Sequence, residues 1–107
     1  MLGSTVTVTV DRPMGSRHPQ YPDLYYPINY GYISGTVAAD GEEIDAYILG
    51  VDEPTDQFTG RVIAVNHRRN DVEDKLVVAP DGMTFSESRI AELTYFQERY
   101  FDTEIEM

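Results

Sequence analysis

The sequence predicts a mainly β protein of the α+β class, a small five-stranded barrel with one C-terminal helix. Three observations carry that expectation. Five short apolar runs rich in Val, Ile and Tyr are separated by turn residues, one late segment repeats with a helical period, and five strands left as an open sheet would expose two unpaired edges. Closure into a barrel removes those edges.

Residues 5–10 alternate strictly, with Val6, Val8 and Val10 on one side and Thr5, Thr7 and Thr9 on the other, which is the period of a half-buried strand. Residues 11–27 hold four of the six prolines, whose missing N–H groups and fixed φ are incompatible with a central strand, so this stretch is a loop. Residues 31–37, 45–51, 60–66 and 75–79 read as the other four strands, and Asp40-Gly41 is a hairpin signal between the first two of these. Ile90, Leu93, Phe96 and Tyr100 share one helical face. Thr84, three residues before Glu87, fits a capping box at the start of that helix. Asp102, Glu104 and Glu106 would face the negative end of its dipole, so the helix is expected to stop near Phe101.

With 107 residues and no repeat or linker, the chain is expected to be one domain over residues 1–107. It has no cysteine, which excludes disulfides and cysteine-based metal or redox sites. Eight basic against nineteen acidic side chains give a net charge of −11, the wrong sign for a nucleic-acid or acidic-membrane footprint. The first ten residues lack a signal-peptide pattern and no apolar span approaches membrane length, so a soluble, cytoplasmic protein is expected.

The acidic balance points instead to divalent cations. Residues 40–45, Asp-Gly-Glu-Glu-Ile-Asp, place four carboxylates in a short run without a base. Two like charges about 4 Å apart repel by about 1 kcal/mol in water and about 4 kcal/mol at an effective dielectric of about 20, so a folded cluster splays, takes up protons or binds a cation. Magnesium takes hard oxygen ligands and commonly shares its remaining positions with phosphate. The bland alternative is a solvated acidic turn. Residues 67–75 mix Asp71, Glu73 and Asp74 with Arg68, Arg69 and Lys75, the only lysine, and could present metal ligands and phosphate clamps together or form an ordinary charged loop. Residues 24–32 carry four tyrosines, which could line a polar pocket or pack as a barrel wall. His18 and His67 are isolated and are expected to be surface or structural residues.

Taken together, Tyr26-Pro27-Ile28-Asn29-Tyr30-Gly31-Tyr32 and the following Asp40-Gly41-Glu42-Glu43-Ile44-Asp45-Ala46 resemble the soluble, magnesium-dependent inorganic pyrophosphatases. The similarity extends through Lys75 and its apolar strand to Tyr100, and weakly back to Asp11. It implies an OB-like barrel with an appended helix and hydrolysis of pyrophosphate by metal-activated water. By position it implies that Asp40, Glu42 and Asp45 bind Mg²⁺, with Glu42 and Asp45 catalytic and Glu42 near the attacking water, and that an acid among Asp71, Glu73 and Asp74 completes the site. Tyr30, Lys75 and Tyr100 match phosphate-facing positions, and family members are usually oligomers. This chain departs from the pattern in three places. Glu42 stands where an aspartate is usual, the segment that normally supplies a basic pair is cut to a proline-rich loop in which Arg17 could substitute, and Phe101 replaces a lysine. These losses leave open a non-catalytic module that binds metal and a small phosphorylated ligand or a protein partner, or a hydrolase acting on a larger phosphoanhydride.

Overall fold

The alternation of Val6, Val8 and Val10 is realised in β1 (Thr5–Arg12) of the computed structural model, which describes residues 1–38, 41–69 and 73–107; Val8 is completely buried and its two neighbours are partly so. β2 (Asn29–Ile33), β3 (Ile44–Ile48), β4 (Gln57–Arg68) and β5 (Asp74–Ala79) follow in order. β1 pairs with β2 and β4, β2 with β3, β3 with β5, and β5 with β4, so the five strands close on themselves. Every pairing is antiparallel except β3 with β5.

Each wall of the barrel is buried on two sides. Val8, Ile33, Ala46, Ile48, Val62, Leu76 and Val78 come from all five strands and form one core. The alternate residues Tyr30, Tyr47, Leu49 and Val77 form a second core with Tyr26, Ile28 and Ile90. A register shift between Val62 and Ala64 explains why β4 breaks strict alternation: Val62 and Val65 share the first core while Ala64 belongs to the second.

β2 turns at Ser34-Gly35 and ends at Ile33, short of the expected residue 37, so the connection to β3 is long rather than a tight two-residue hairpin. Gly41 has φ +85°, a conformation that favours glycine. Its predicted turn partner Asp40 lies outside the described residues. Gly31 is needed for a different reason. A Cβ built there would sit 1.9 Å from the carbonyl oxygen of Thr9 on β1. Gly31→Ala should therefore push the two strands apart and cost about 1–3 kcal/mol, read as a lower urea midpoint.

Helix α1 (Glu87–Glu98) begins at Ser86, whose hydroxyl accepts from the backbone N–H of Arg89, and so the cap is Ser86 rather than Thr84. Ile90 is buried, and Leu93 and Phe96 pack against the second core as their spacing predicts. Tyr100 lies beyond the helix and is 60% exposed. The fully buried positions are Ile90, Thr94 and Glu98, one turn apart, so the buried stripe includes a hydroxyl and a carboxylate that apolar periodicity does not register.

The acidic C-terminal residues form a sixth strand, β6 (Thr103–Glu106), paired with the end of β4. The sequence reading missed it because the strand is short and half its positions are exposed acids. Those acids meet bases beside β4: Glu104 accepts from Arg69, and Glu106 Oε1 lies 2.6 Å from His67 Nε2. His67 Nδ1 is also 3.0 Å from Asp74. The Glu106 hydrogen bond raises the His67 pKa above its ordinary value of 6.5. This contribution to stability is complete below the unfolded pKa and is lost as pH rises through the folded one. A proton-NMR titration should give a His67 midpoint above 6.5, and Glu106→Gln should lower it.

Candidate active site

Barrel closure brings residues from four elements to one pocket of about 660 Å³. Its walls are the loop before β2, the strand residues Tyr30, Arg68 and Lys75, and Gln97, Tyr100 and Phe101 at the end of the helix. The register explains the convergence. β3 and β5 run parallel with Ala46 opposite Leu76, which sets Asp45 beside Lys75. Tyr32 pairs with Asp45, and Tyr30 with Tyr47, on the other side of β3.

Lys75 is 3% exposed, and its Nζ donates to Asp45 Oδ2 at 2.6 Å and to Glu73 Oε2 at 3.0 Å. Arg68, 5% exposed, donates through Nε and NH2 to the two oxygens of Glu98 at 3.2 and 2.6 Å, and its NH1 lies 3.8 Å from Glu73. The Arg68 guanidinium also stacks 3.7 Å from the centre of the Phe101 ring. Burial opposes the charge on Arg68, but the hydrogen bonds and charge of Glu98 more than offset it and raise its pKa. Glu98 accepts in addition from Tyr47 Oη at 2.5 Å and Thr103 Oγ1 at 2.8 Å. Two buried cations, Lys75 and Arg68, are thus threaded between three carboxylates, Asp45, Glu73 and Glu98.

The phenols behind this network remain protonated. Burial and then the charge of Asp45 push the Tyr30 pKa well up, and burial and then Glu98 do the same for Tyr47. Gln97 ties the second core together, donating to Tyr47 Oη and accepting from Tyr26 Oη. Asp11 on β1 feels the same field: burial first, and also the charge of Asp45, raise its pKa against the pull of Arg12.

Of the residues singled out in the sequence, Tyr30, Lys75 and Tyr100 line the same pocket, and Asp45 and Glu73 share the Lys75 ammonium. Glu42 is exposed on the β2–β3 connection, away from the pocket lining. Arg17 is also absent from the lining; it donates to the Pro22 carbonyl at 2.9 Å and lies over the Tyr25 ring, bracing the proline-rich loop. Asp40 and Asp71 fall outside the described residues. Among the described residues, no group of three or more His, Asp and Glu side chains is arranged around a common point. Glu98 escaped the sequence reading, which offered Arg68 only as a possible clamp. Nothing there aimed Arg68 at the pocket, although alternation along β4 from the outward His67 turns it inward, and Glu98 is visible only as the position two turns after Ile90.

A closed five-stranded barrel with a pocket lined by Lys75, Arg68, Tyr30 and Tyr100 is an OB-like barrel with a polar and aromatic cleft at its mouth. The model of the inorganic pyrophosphatase family matches residues 5–106, and the chain belongs to that family. An inorganic pyrophosphatase of Nostoc is 34% identical over 68 residues, covering 57% of this chain and 38% of that protein. One from Vibrio parahaemolyticus is 29% identical over 115 residues, covering 91% and 61%. The chain therefore spans less than two thirds of the length of these curated relatives. The crystal structure of an inorganic pyrophosphatase from Neisseria gonorrhoeae shares the fold with a TM-score of 0.70 at 22% identity, over 92% of this chain and 74% of that one. The enzyme from Ehrlichia chaffeensis gives 0.71 at 18%, over 97% and 85%.

Proposed function

We propose that this protein hydrolyses inorganic pyrophosphate to phosphate with Mg²⁺ as cofactor. The observation that carries this reading is the meeting of Tyr30, Lys75, Arg68 and Tyr100 in one pocket beside the Asp45–Lys75–Glu73 bridge.

The residues present fit a hard dication. Asp45 and Glu73 already direct oxygens at a single cationic centre, the Lys75 ammonium. Asp45 and Glu73 would hold the ion; Asp40 and Asp71, which the resemblance also assigns to it, lie outside the described residues, and Glu42 is exposed and off the pocket lining. When bound, it supplies a lowered pKa for the attacking water and neutralisation of charge on the phosphoryl oxygens. Lys75 and Arg68 bind substrate oxygens, Lys75 as a mobile point charge and Arg68 as a fork fixed by Glu98 and Phe101. Tyr30, held neutral by its surroundings, donates a hydrogen bond without adding charge. Tyr100 closes the rim. No covalent intermediate is required, because in-line displacement by water depends on positioning and charge compensation alone.

The pairing of Lys75 and Arg68 with carboxylates also supports a second reading, a module that binds a phosphorylated ligand without turnover. A phosphate-release assay on pyrophosphate, with and without Mg²⁺, separates the two. Metal-dependent release supports the hydrolase; saturable calorimetric binding without release supports the module.

A further inference from the structure

The pocket is much larger than two phosphoryl groups need. About 660 Å³ falls within the roughly 300–1,000 Å³ range of sites that enclose drug-sized organic molecules. Its lining is also graded. Lys75 and Arg68 are buried, whereas Tyr21 and Tyr100 line it while remaining 65% and 60% exposed. Tyr21, unlike Tyr100, has no part in the pyrophosphate reading.

The Tyr21 rim is built. Tyr21 sits at the tip of the proline-rich loop with its ring 5.0 Å from that of His18. His18 Nδ1 accepts from the backbone N–H groups of Gln20 and Tyr21, which fixes its ring in the turn. The loop is clamped further back by bonds from His18 N–H to the Leu24 carbonyl and from Tyr26 N–H to the Ser16 carbonyl, and Tyr21 lines the pocket. A ring carried on such a turn is pre-organised to stack on a planar group.

We infer that the pocket takes an organic diphosphate esterified to a sugar that carries a planar ring, a nucleoside diphosphate, with its phosphates at Lys75 and Arg68 and its base against Tyr21. This rests on the hydrolase reading and extends it. The water oxygen forms a bond to the terminal phosphorus and the anhydride P–O bond breaks. Its electron pair stays with the departing nucleoside monophosphate, inorganic phosphate is the second product, and the proton released is taken up by solvent.

The test compares ADP with pyrophosphate, each with Mg²⁺, on the wild type, Tyr21→Ala and Tyr21→Trp. Wild-type protein should hydrolyse ADP. Tyr21→Ala should lower kcat/KM for ADP about tenfold relative to its own value for pyrophosphate, the scale of one base–aromatic stack, and Tyr21→Trp should restore the ratio. A ratio unmoved by Tyr21→Ala, or pyrophosphate turnover with no turnover of ADP, overturns the inference and leaves the hydrolase reading standing. If neither substrate is hydrolysed, the hydrolase reading falls and ADP calorimetry decides the subsite: Tyr21-dependent binding upholds it, and binding that is absent or indifferent to Tyr21 removes it.

Discussion

Glu98→Ala should destabilise the protein by about 3–5 kcal/mol, because it strands the Arg68 guanidinium in a site that is almost closed to water. The loss is larger than for a surface pair since Glu98 is the acceptor for three different elements: Arg68 on β4, Tyr47 on β3 and Thr103 on β6. Removing it leaves the buried Tyr47 hydroxyl and the half-buried Thr103 hydroxyl without this acceptor and frees the helix end from the barrel. Urea denaturation at fixed pH should show a midpoint well below wild type at an unchanged slope. Glu98→Gln keeps an acceptor of the same shape without the charge and should fall between the two. If Glu98→Ala is as stable as wild type, the buried pair does not anchor the helix.

Lys75→Met should lower kcat on pyrophosphate by about 10²–10³, the usual cost of losing one electrostatic contact at the reacting group. Methionine keeps most of the buried stem, so the change isolates the ammonium. The substitution also deprives Asp45 and Glu73 of their shared cation, and the expected loss of thermal stability should be partly recovered by added Mg²⁺ through mass action. Lys75→Arg should not restore the rate fully, because a planar fork cannot occupy the same point between two carboxylates. A kcat within twofold of wild type in Lys75→Met would place the lysine outside the chemistry.

What the sequence disclosed follows from which interactions are local. The strands announced themselves through Val and Ile alternation, and the barrel through the number of short strands that an open sheet would leave with exposed edges. The paired tyrosine and acidic motifs pointed to the pocket through the family resemblance, and the register of β2 with β3, Tyr30 opposite Tyr47 and Tyr32 opposite Asp45, is what holds Tyr30 and Asp45 near one another. What stayed hidden depends on long-range partners. β6 is a strand only because Arg69 and His67 offset its acids and β4 has a free edge for it. Arg68 is indistinguishable from Arg69 in sequence, yet one is buried against Glu98 and the other lies on the surface with Glu104. Arg17 looked like a substitute clamp by charge alone, and the loop uses it for its own bracing.

The central claim is that carboxylates grouped at the barrel mouth hold a dication that drives phosphoanhydride hydrolysis. The most direct measurement is phosphate release from pyrophosphate across a Mg²⁺ titration, for wild type and Asp45→Asn side by side. Saturable, Mg²⁺-dependent release that collapses in the variant is the predicted result; release independent of Mg²⁺, or equal in both proteins, would contradict it.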